Sequence, residues 1–249
     1  MSYSNPYQSP TSAPQFAIDA DLTDRLGFIR NTYFHLTMAI LALIGLEFAA
    51  FSLFSEQLES FAKFVLGGQY IWLGLLVGFM VVSWVADRWA LSGGSLGLQY
   101  LGLSLYVVAQ AVILAPLLYI ASTFFPGAIQ TAAVATGIVF IALTAFVFLT
   151  RTDFSFLRNV LFVAGLAAIC GLLCLMFLPS FMPGVDFSIM HLAFTIGMIA
   201  LASGYILYHT SNVLHHYRTD QYVAASLALF SSVALLFWYI LRLVMAARE

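Results

Sequence analysis

Apolar stretches dominate the chain, and charged positions interrupt them so rarely that the runs between charges can be read directly, at 64–86, 89–150, 159–185, 187–217 and 221–241. A helix that crosses a bilayer needs about 20 predominantly apolar residues, so each run crosses at least once. As one helix, the run 89–150 would be about 93 Å long at a rise of about 1.5 Å per residue, so it must fold back. Phe125-Pro126-Gly127 is the turn signal placed to do so. The pattern predicts an all-α polytopic membrane protein with spans at about 32–54, 64–86, 98–123, 128–149, 160–177, 188–213 and 222–243. Pro126, Pro179 and Pro183 then fall in loops, and Pro116 falls inside the third span, where it should kink the helix. Residues 1–27 are polar and carry Pro6, Pro10 and Pro14 in place of the apolar segment of a secretory signal. They are predicted to form an unstructured, water-exposed arm on the cytoplasmic side, followed by a seven-helix transmembrane domain over 28–249.

Composition agrees with this class. Of 249 residues, 62% are hydrophobic and 8% charged, whereas a soluble domain carries about 25% charge. A net charge of -2 with nine basic residues leaves no stripe that could neutralise a phosphate backbone, which excludes nucleic acid as a partner. The lipid bilayer is the partner the composition demands. Cys170 and Cys174, four apart on one helix, are expected to be reduced packing residues rather than a disulfide. Gly74 and Gly78, and the small pair Ser203-Gly204, are expected to let helices approach closely. Tyr70, Trp72, Trp84, Trp89, Trp238 and Tyr239 fall near predicted span ends, where amphipathic rings anchor at the interface.

Basic residues near span ends set the orientation, because positively charged loops resist translocation. Arg25, Arg30, Arg88, Arg151, Arg158 and Arg218 lie on the side of the amino terminus, against Lys63, Arg242 and Arg248 on the other. This distribution predicts a cytoplasmic amino terminus and, after an odd number of spans, a carboxy terminus outside.

An ionisable side chain inside a membrane is costly, so Glu47, His35, His191 and His209 are the candidates for chemistry. Glu47 lies past the middle of the first span, where a neutral, hydrogen-bonded carboxyl with a structural role is equally admissible. His35 and His191 lie within a turn of span ends, where an imidazole can snorkel to water. His209 is followed by Thr210, Ser211 and Asn212, which could form a polar pocket around it. His215 and His216 point apart on a helix, and no carboxylate or cysteine stands at metal-ligand spacing from them. Gly93-Gly94-Ser95-Leu96-Gly97 matches the nucleophile-elbow pattern by chance, since it joins two membrane helices instead of following a strand. The single lysine, Lys63, falls in a loop, so no Schiff base to retinal can form inside a span. No cofactor motif is present.

Arg30-Asn31-Thr32-Tyr33, Ile113-Leu114-Ala115-Pro116, the stretch 150–157 (TRTDFSFL) and the stretch 204–212 (GYILYHTSN) give the chain a pattern that resembles the Bax inhibitor family, in particular its bacterial YccA branch. The likeness covers nearly everything after the polar arm. It implies a seven-helix bundle with its sixth and seventh helices at the centre, in a group that includes modulators of the FtsH membrane protease and calcium-leak proteins. The leak members carry an aspartate on each of the last two core helices, forming a proton-sensitive pair. Here the corresponding positions are His209 and Ser232; in the YccA branch the first resembles a glutamate in the same Thr-Ser-Asn setting and the second is serine. Imidazole and hydroxyl cannot supply the charge of two carboxylates, so the resemblance favours the YccA-like reading over the calcium leak.

Two functions follow as expectations, and neither is enzymatic. One is an inner-membrane modulator or substrate mimic of an FtsH-type AAA protease, engaged through the polar arm. The other is a pH-sensitive leak for calcium or protons, with His209, Ser232, Glu47 and Asn212 as candidates for the pH-sensing helix latch. Acid would charge His209, and the cation would loosen the last two helices.

Overall fold

The computed structural model describes residues 15–248 apart from Gly93, Gly94 and Pro183. Eight helices follow one another: α1 Leu22–Leu53, α2 Ser55–Leu66, α3 Gln69–Ala90, α4 Leu96–Phe124, α5 Ala128–Thr150, α6 Leu157–Phe181, α7 Ser188–His215 and α8 Tyr222–Ala246. All except α2 are long and apolar enough to cross a membrane, which gives the seven spans that the charge pattern predicts. No strand occurs among the described residues, only an isolated bridge between Phe16 and Arg218.

The eighth helix is the unexpected element. With 12 residues and Glu56, Glu59 and Lys63 on it, α2 cannot span, yet Leu58, Ala62 and Val65 recur at helical spacing and are buried. Lys63 therefore sits on a helix, paired with Glu59, rather than in a loop. The first span also begins ten residues before the predicted boundary: α1 starts at Leu22 instead of Thr32 and carries Asp24, Arg25 and Arg30. Charge marks where a helix leaves the hydrocarbon, whereas its backbone hydrogen bonds continue into water. α6 similarly runs past Phe177 and takes Pro179 into its last turns, so Pro179 is helical and not in a loop.

The arm predicted over 1–27 divides in two. Residues 1–14 lie outside the described part. From Gln15 onward the chain is docked: Ala17 N–H donates to Tyr217 C=O (2.8 Å), and Thr219 N–H donates to Gln15 C=O (3.0 Å). Ala17 is fully buried, and α1 already contains Gly27. Main-chain pairing accounts for this order, because it needs no apolar side chains.

These contacts also sort the loops onto two faces. The amino-terminal segment and the α7–α8 loop share one face, which the α5–α6 loop joins through Phe154 N–H donating to Ser211 Oγ (2.9 Å). On the other face the Arg248 guanidinium donates to Pro126 C=O and, at 3.2 Å, to Thr131 Oγ. The turn before α5 depends on Gly127, whose φ of 79° is readily available only to glycine.

α8 occupies the centre, packed against α1, α4, α5 and α7, while α6 packs chiefly on α7 at the rim. In the apolar stretches of the spans, 56% of α4 and 50% of α8 are buried, against 22% of α7. The centre is therefore α8 with α4 as much as the pair α7 and α8 implied by the family resemblance. Gly102 makes the α3–α4 approach possible, since a Cβ there would lie 2.6 Å from Ala86 O and 2.9 Å from Ala90 N. Gly204 has the same role toward α6, where a Cβ would meet Leu161 Cδ2 at 2.8 Å. Gly74 and Gly78, by contrast, have nothing within 4 Å of that position and face outward, so this pair mediates no close approach within the chain. Cys170 and Cys174 are exposed on α6 and are not packing residues.

Candidate functional site

Two apolar clusters make up the core. One gathers Phe28, Leu36, Tyr106, Leu227 and Phe230 toward the amino-terminal face. The other gathers Leu114, Leu118, Ile206, Leu236 and Leu241 toward the carboxy-terminal face. Gln110 on α4, His209 on α7 and Ser231 and Ser232 on α8 fall between the two clusters in the register of each helix. All four line one cavity of about 340 Å³.

Helical periodicity explains the convergence. Ser231, Leu235, Trp238 and Arg242 are spaced four, three and four apart on α8, which puts them on one face. Tyr106, Gln110 and Ile113 repeat the spacing on α4, and Trp72, Leu76 and Phe79 repeat it on α3. Tyr205 and His209 are one turn apart on α7, with their rings stacked at 5.9 Å and 13°. Tyr208 meets the same imidazole edge-on at 5.1 Å.

The polar groups of the cavity are only partly satisfied. Ser231 and Ser232 both donate to Ala228 C=O at 2.9 Å, a bond inside their own helix. His209 Nδ1 is buried and has no hydrogen-bond partner, a condition that costs about 1–3 kcal/mol for a buried polar atom. Gln110 is only 5% exposed. Among the described residues that line the cavity there is no carboxylate, and Arg242 carries its only fixed charge. That guanidinium lies 6.0 Å from the centre of the Tyr239 ring, within the range of a cation–π contact.

The four candidates from the sequence therefore separate. His209 and Ser232 line the same cavity, although Ser232 bonds to its own helix and not to the imidazole. Glu47 is buried on α1 with Oε1 unpartnered, but it does not line the cavity. Asn212 is half-buried, and its carbonyl accepts the amides of His216 (2.8 Å) and Tyr217 (2.9 Å) at the end of α7. His35 is held by Asn31 C=O at 2.7 Å and Tyr100 Oη at 2.9 Å. His216 faces Asp153 at 3.3 Å rather than open solvent alone. The Asp153 carboxyl is held below its ordinary range: partial desolvation raises it, but hydrogen bonds from the Ser155 amide, His216 and the Ser155 hydroxyl outweigh that. Ser95, in the elbow-like stretch, precedes α4 as its N-cap residue, and Gly93 and Gly94 lie outside the described residues.

Sequence reasoning missed Arg242, Gln110 and the indoles of the cavity. Near a span end, Arg242 reads in the sequence as an orientation signal. Trp72 and Trp238, where the sequence predicts interfacial anchors, stack on each other at 5.8 Å and line the cavity. The signal available was the four-three-four spacing from Ser231 to Arg242, which places an arginine on the same stripe as the polar mid-span Ser231.

Comparison with known proteins places these features in context. A family model described as inhibitor of apoptosis-promoting Bax1 matches residues 25–249. Bax inhibitor 1 of Schizosaccharomyces pombe is 30% identical over 222 residues, 88% of this chain and 76% of its own length. Protein LIFEGUARD 4 of Arabidopsis thaliana is 27% identical over 229 residues, 90% of this chain and 86% of its own. The modulator of FtsH protease YccA of Escherichia coli is 34% identical over 98 residues, 39% of this chain and 41% of its own.

Proposed function

The chain belongs to the Bax inhibitor family, and from that premise we propose that this multi-pass membrane protein resides in the inner membrane and modulates an FtsH-type AAA protease. The observation that carries the reading is the likeness to YccA, whose name states that activity. Two features support it. The cavity offers an arginine and neutral polar groups where a calcium path would need carboxylates. The stretch before Gln15 is polar and contains Pro6, Pro10 and Pro14, a composition that suits a handle for an unfolding protease.

The face shared by the amino-terminal segment and the α5–α6 and α7–α8 loops is the cytoplasmic one in this reading. Six of the nine basic residues belong to it. The carboxy terminus is then outside. Reporter fusions at Glu249 should be active only as exported enzymes; activity confined to the cytoplasm would reverse the assignment.

Because the segment from Gln15 is docked, the handle is tested by deleting residues 1–14 and not 1–27. The shortened protein should insert and melt like the full chain but lose its effect on the half-life of a protease client. An unchanged effect would remove the handle from the account.

A pH-sensitive leak for calcium or protons is the second reading, favoured by one observation: His209 and Ser232, from the last two helices, line a common cavity. Ion flux in vesicles reconstituted with the wild type and with His209→Gln decides it. Acid-dependent flux that the substitution abolishes would establish the leak, and its absence from the wild type would dismiss it.

A further inference from the structure

The cavity does not end at the polar layer. A second one of about 370 Å³ adjoins it and shares Leu172, Tyr205, Leu235 and Tyr239 with it. Apart from the Tyr205 and Tyr239 hydroxyls, its lining is apolar. It follows Phe162, Leu166 and Ile169 along α6 and Phe194, Met198 and Leu201 along α7. Its α6 wall reaches the surface of the bundle, with Phe162 65% and Leu166 50% exposed. A polar chamber with one cation thus continues into an apolar groove that opens sideways, toward lipid.

We propose that the two cavities form one binding site for a long-chain fatty acid, with the carboxylate on Arg242 and the acyl chain in the groove between α6, α7 and α8. The proposal goes beyond both functional readings and depends on neither.

Charge complementarity selects the head. Arg242 lies within an apolar helix and forms no ion pair among the described residues. Lining the cavity near the end of α8, it is available to an anionic group that enters there. Guanidinium matches a carboxylate through two parallel N–H···O bonds. A metal cation would be repelled by the same group.

The groove selects the tail. At about 370 Å³ it has room for one acyl chain and not for the two of a phospholipid. From Phe162 to Leu172 it follows ten residues of α6, about 15 Å of helix. Depth agrees as well. Arg242 is four residues from the end of α8 at Ala246, about 6 Å along the axis. The head is therefore near the membrane surface and the chain points to the middle, the orientation a fatty acid already has in a leaflet. It can enter sideways past α6 without turning over. His209 Nδ1, unpartnered between the two apolar clusters, supplies a second polar contact for a shorter chain seated deeper or for water that follows the head.

The indoles at the junction report occupancy. In the full chain carrying Trp84→Phe and Trp89→Phe, only Trp72 and Trp238 remain, both lining the cavity. Dibromostearic acid added to this protein in neutral glucoside micelles should quench their fluorescence saturably. Its methyl ester, with the same chain and no charge, should quench at least tenfold more weakly. Arg242→Gln should weaken the acid about tenfold, Arg242→Lys should retain most of the binding, and Ala168→Phe, which fills the groove without adding an indole, should abolish it. Equal quenching by acid and ester, or quenching that never saturates, would show simple partition into the micelle and overturn the proposal. Acetate competing as well as stearate would reduce the site to an anion pocket and overturn the acyl part. The ester comparison uses unaltered Arg242, so misfolding of a variant cannot rescue or sink the idea.

Discussion

α6 and α8 are each 25 residues long and strongly apolar, with peak mean hydropathies of 2.7 and 2.0, yet 11% of the apolar stretch of the first and 50% of that of the second is buried. The more hydrophobic helix is the more exposed one. In a membrane this order is reasonable, because lipid chains solvate apolar residues as well as another helix does, so hydropathy selects membrane residence and not centrality. What holds α8 at the centre is fine packing and a polar layer. Leu229, Leu236 and Leu241 are fully buried on it, and Ser231 and Ser232 line a cavity walled by four other helices. α6 is held at its start by polar contacts, Phe154 to Ser211 and Asp153 to His216, and otherwise leans on α7.

The contrast can be broken most severely through α4, the other buried helix. Gly102→Val would drive a Cβ into the backbone of α3 at Ala86 and Ala90, and neither atom can move without parting the helices. A loss of about 4 kcal/mol is expected, above the usual overpacking range because backbone and not side chain must yield. Thermal unfolding in micelles checks it. Next in size, a matched pair sharpens the comparison directly: Leu236→Ala on α8 should cost about 3 kcal/mol, whereas Leu173→Ala on α6, where the side chain is 36% exposed, should cost about 0.5 kcal/mol. Equal losses would mean that α6 is as much part of the core as α8.

The smallest effect concerns the polar tie that starts α6. Asp153 has a depressed pKa in the folded chain, so its contribution is fully present above the unfolded value of about 3.9 and fades as pH falls through the lower folded value. The pair is half exposed, which screens it. Asp153→Asn should therefore cost only about 0.5 kcal/mol at neutral pH, and the difference from wild type should close as pH falls through the lowered folded value. A difference that persists in acid would assign the effect to packing.

Much of this was legible in the residue pattern, for identifiable reasons. Sparse charges mark spans because carrying them through hydrocarbon is costly, and seven long helices match that marking. The same logic failed at Ser55–Leu66, a helix too short to span that buries Leu58, Ala62 and Val65 while carrying Glu56, Glu59 and Lys63. It also started α1 too late and placed the amino-terminal order too far along, because charged first turns and the main-chain pairing of Ala17 with Tyr217 leave no trace in hydropathy. At the candidate site, His209 stood out as a titratable residue inside a span. Arg242 did not, since a basic residue near a span end reads first as a topology signal. Glu47 stood out for the same reason as His209, but whether a buried polar group faces a cavity depends on the rotation of its helix, which only tertiary packing fixes.

The cavity is the central claim, and adjacent positions on α8 test it. In a background with Cys170→Ser and Cys174→Ser, single cysteines at Leu229, Phe230 and Ser231 differ by one helical step each, and only the last lines the cavity. A small water-soluble thiosulfonate reagent applied from the carboxy-terminal face should modify Ser231→Cys at least tenfold faster than Leu229→Cys or Phe230→Cys. Equal rates at all three positions would show that no accessible chamber lies between α3, α4, α7 and α8.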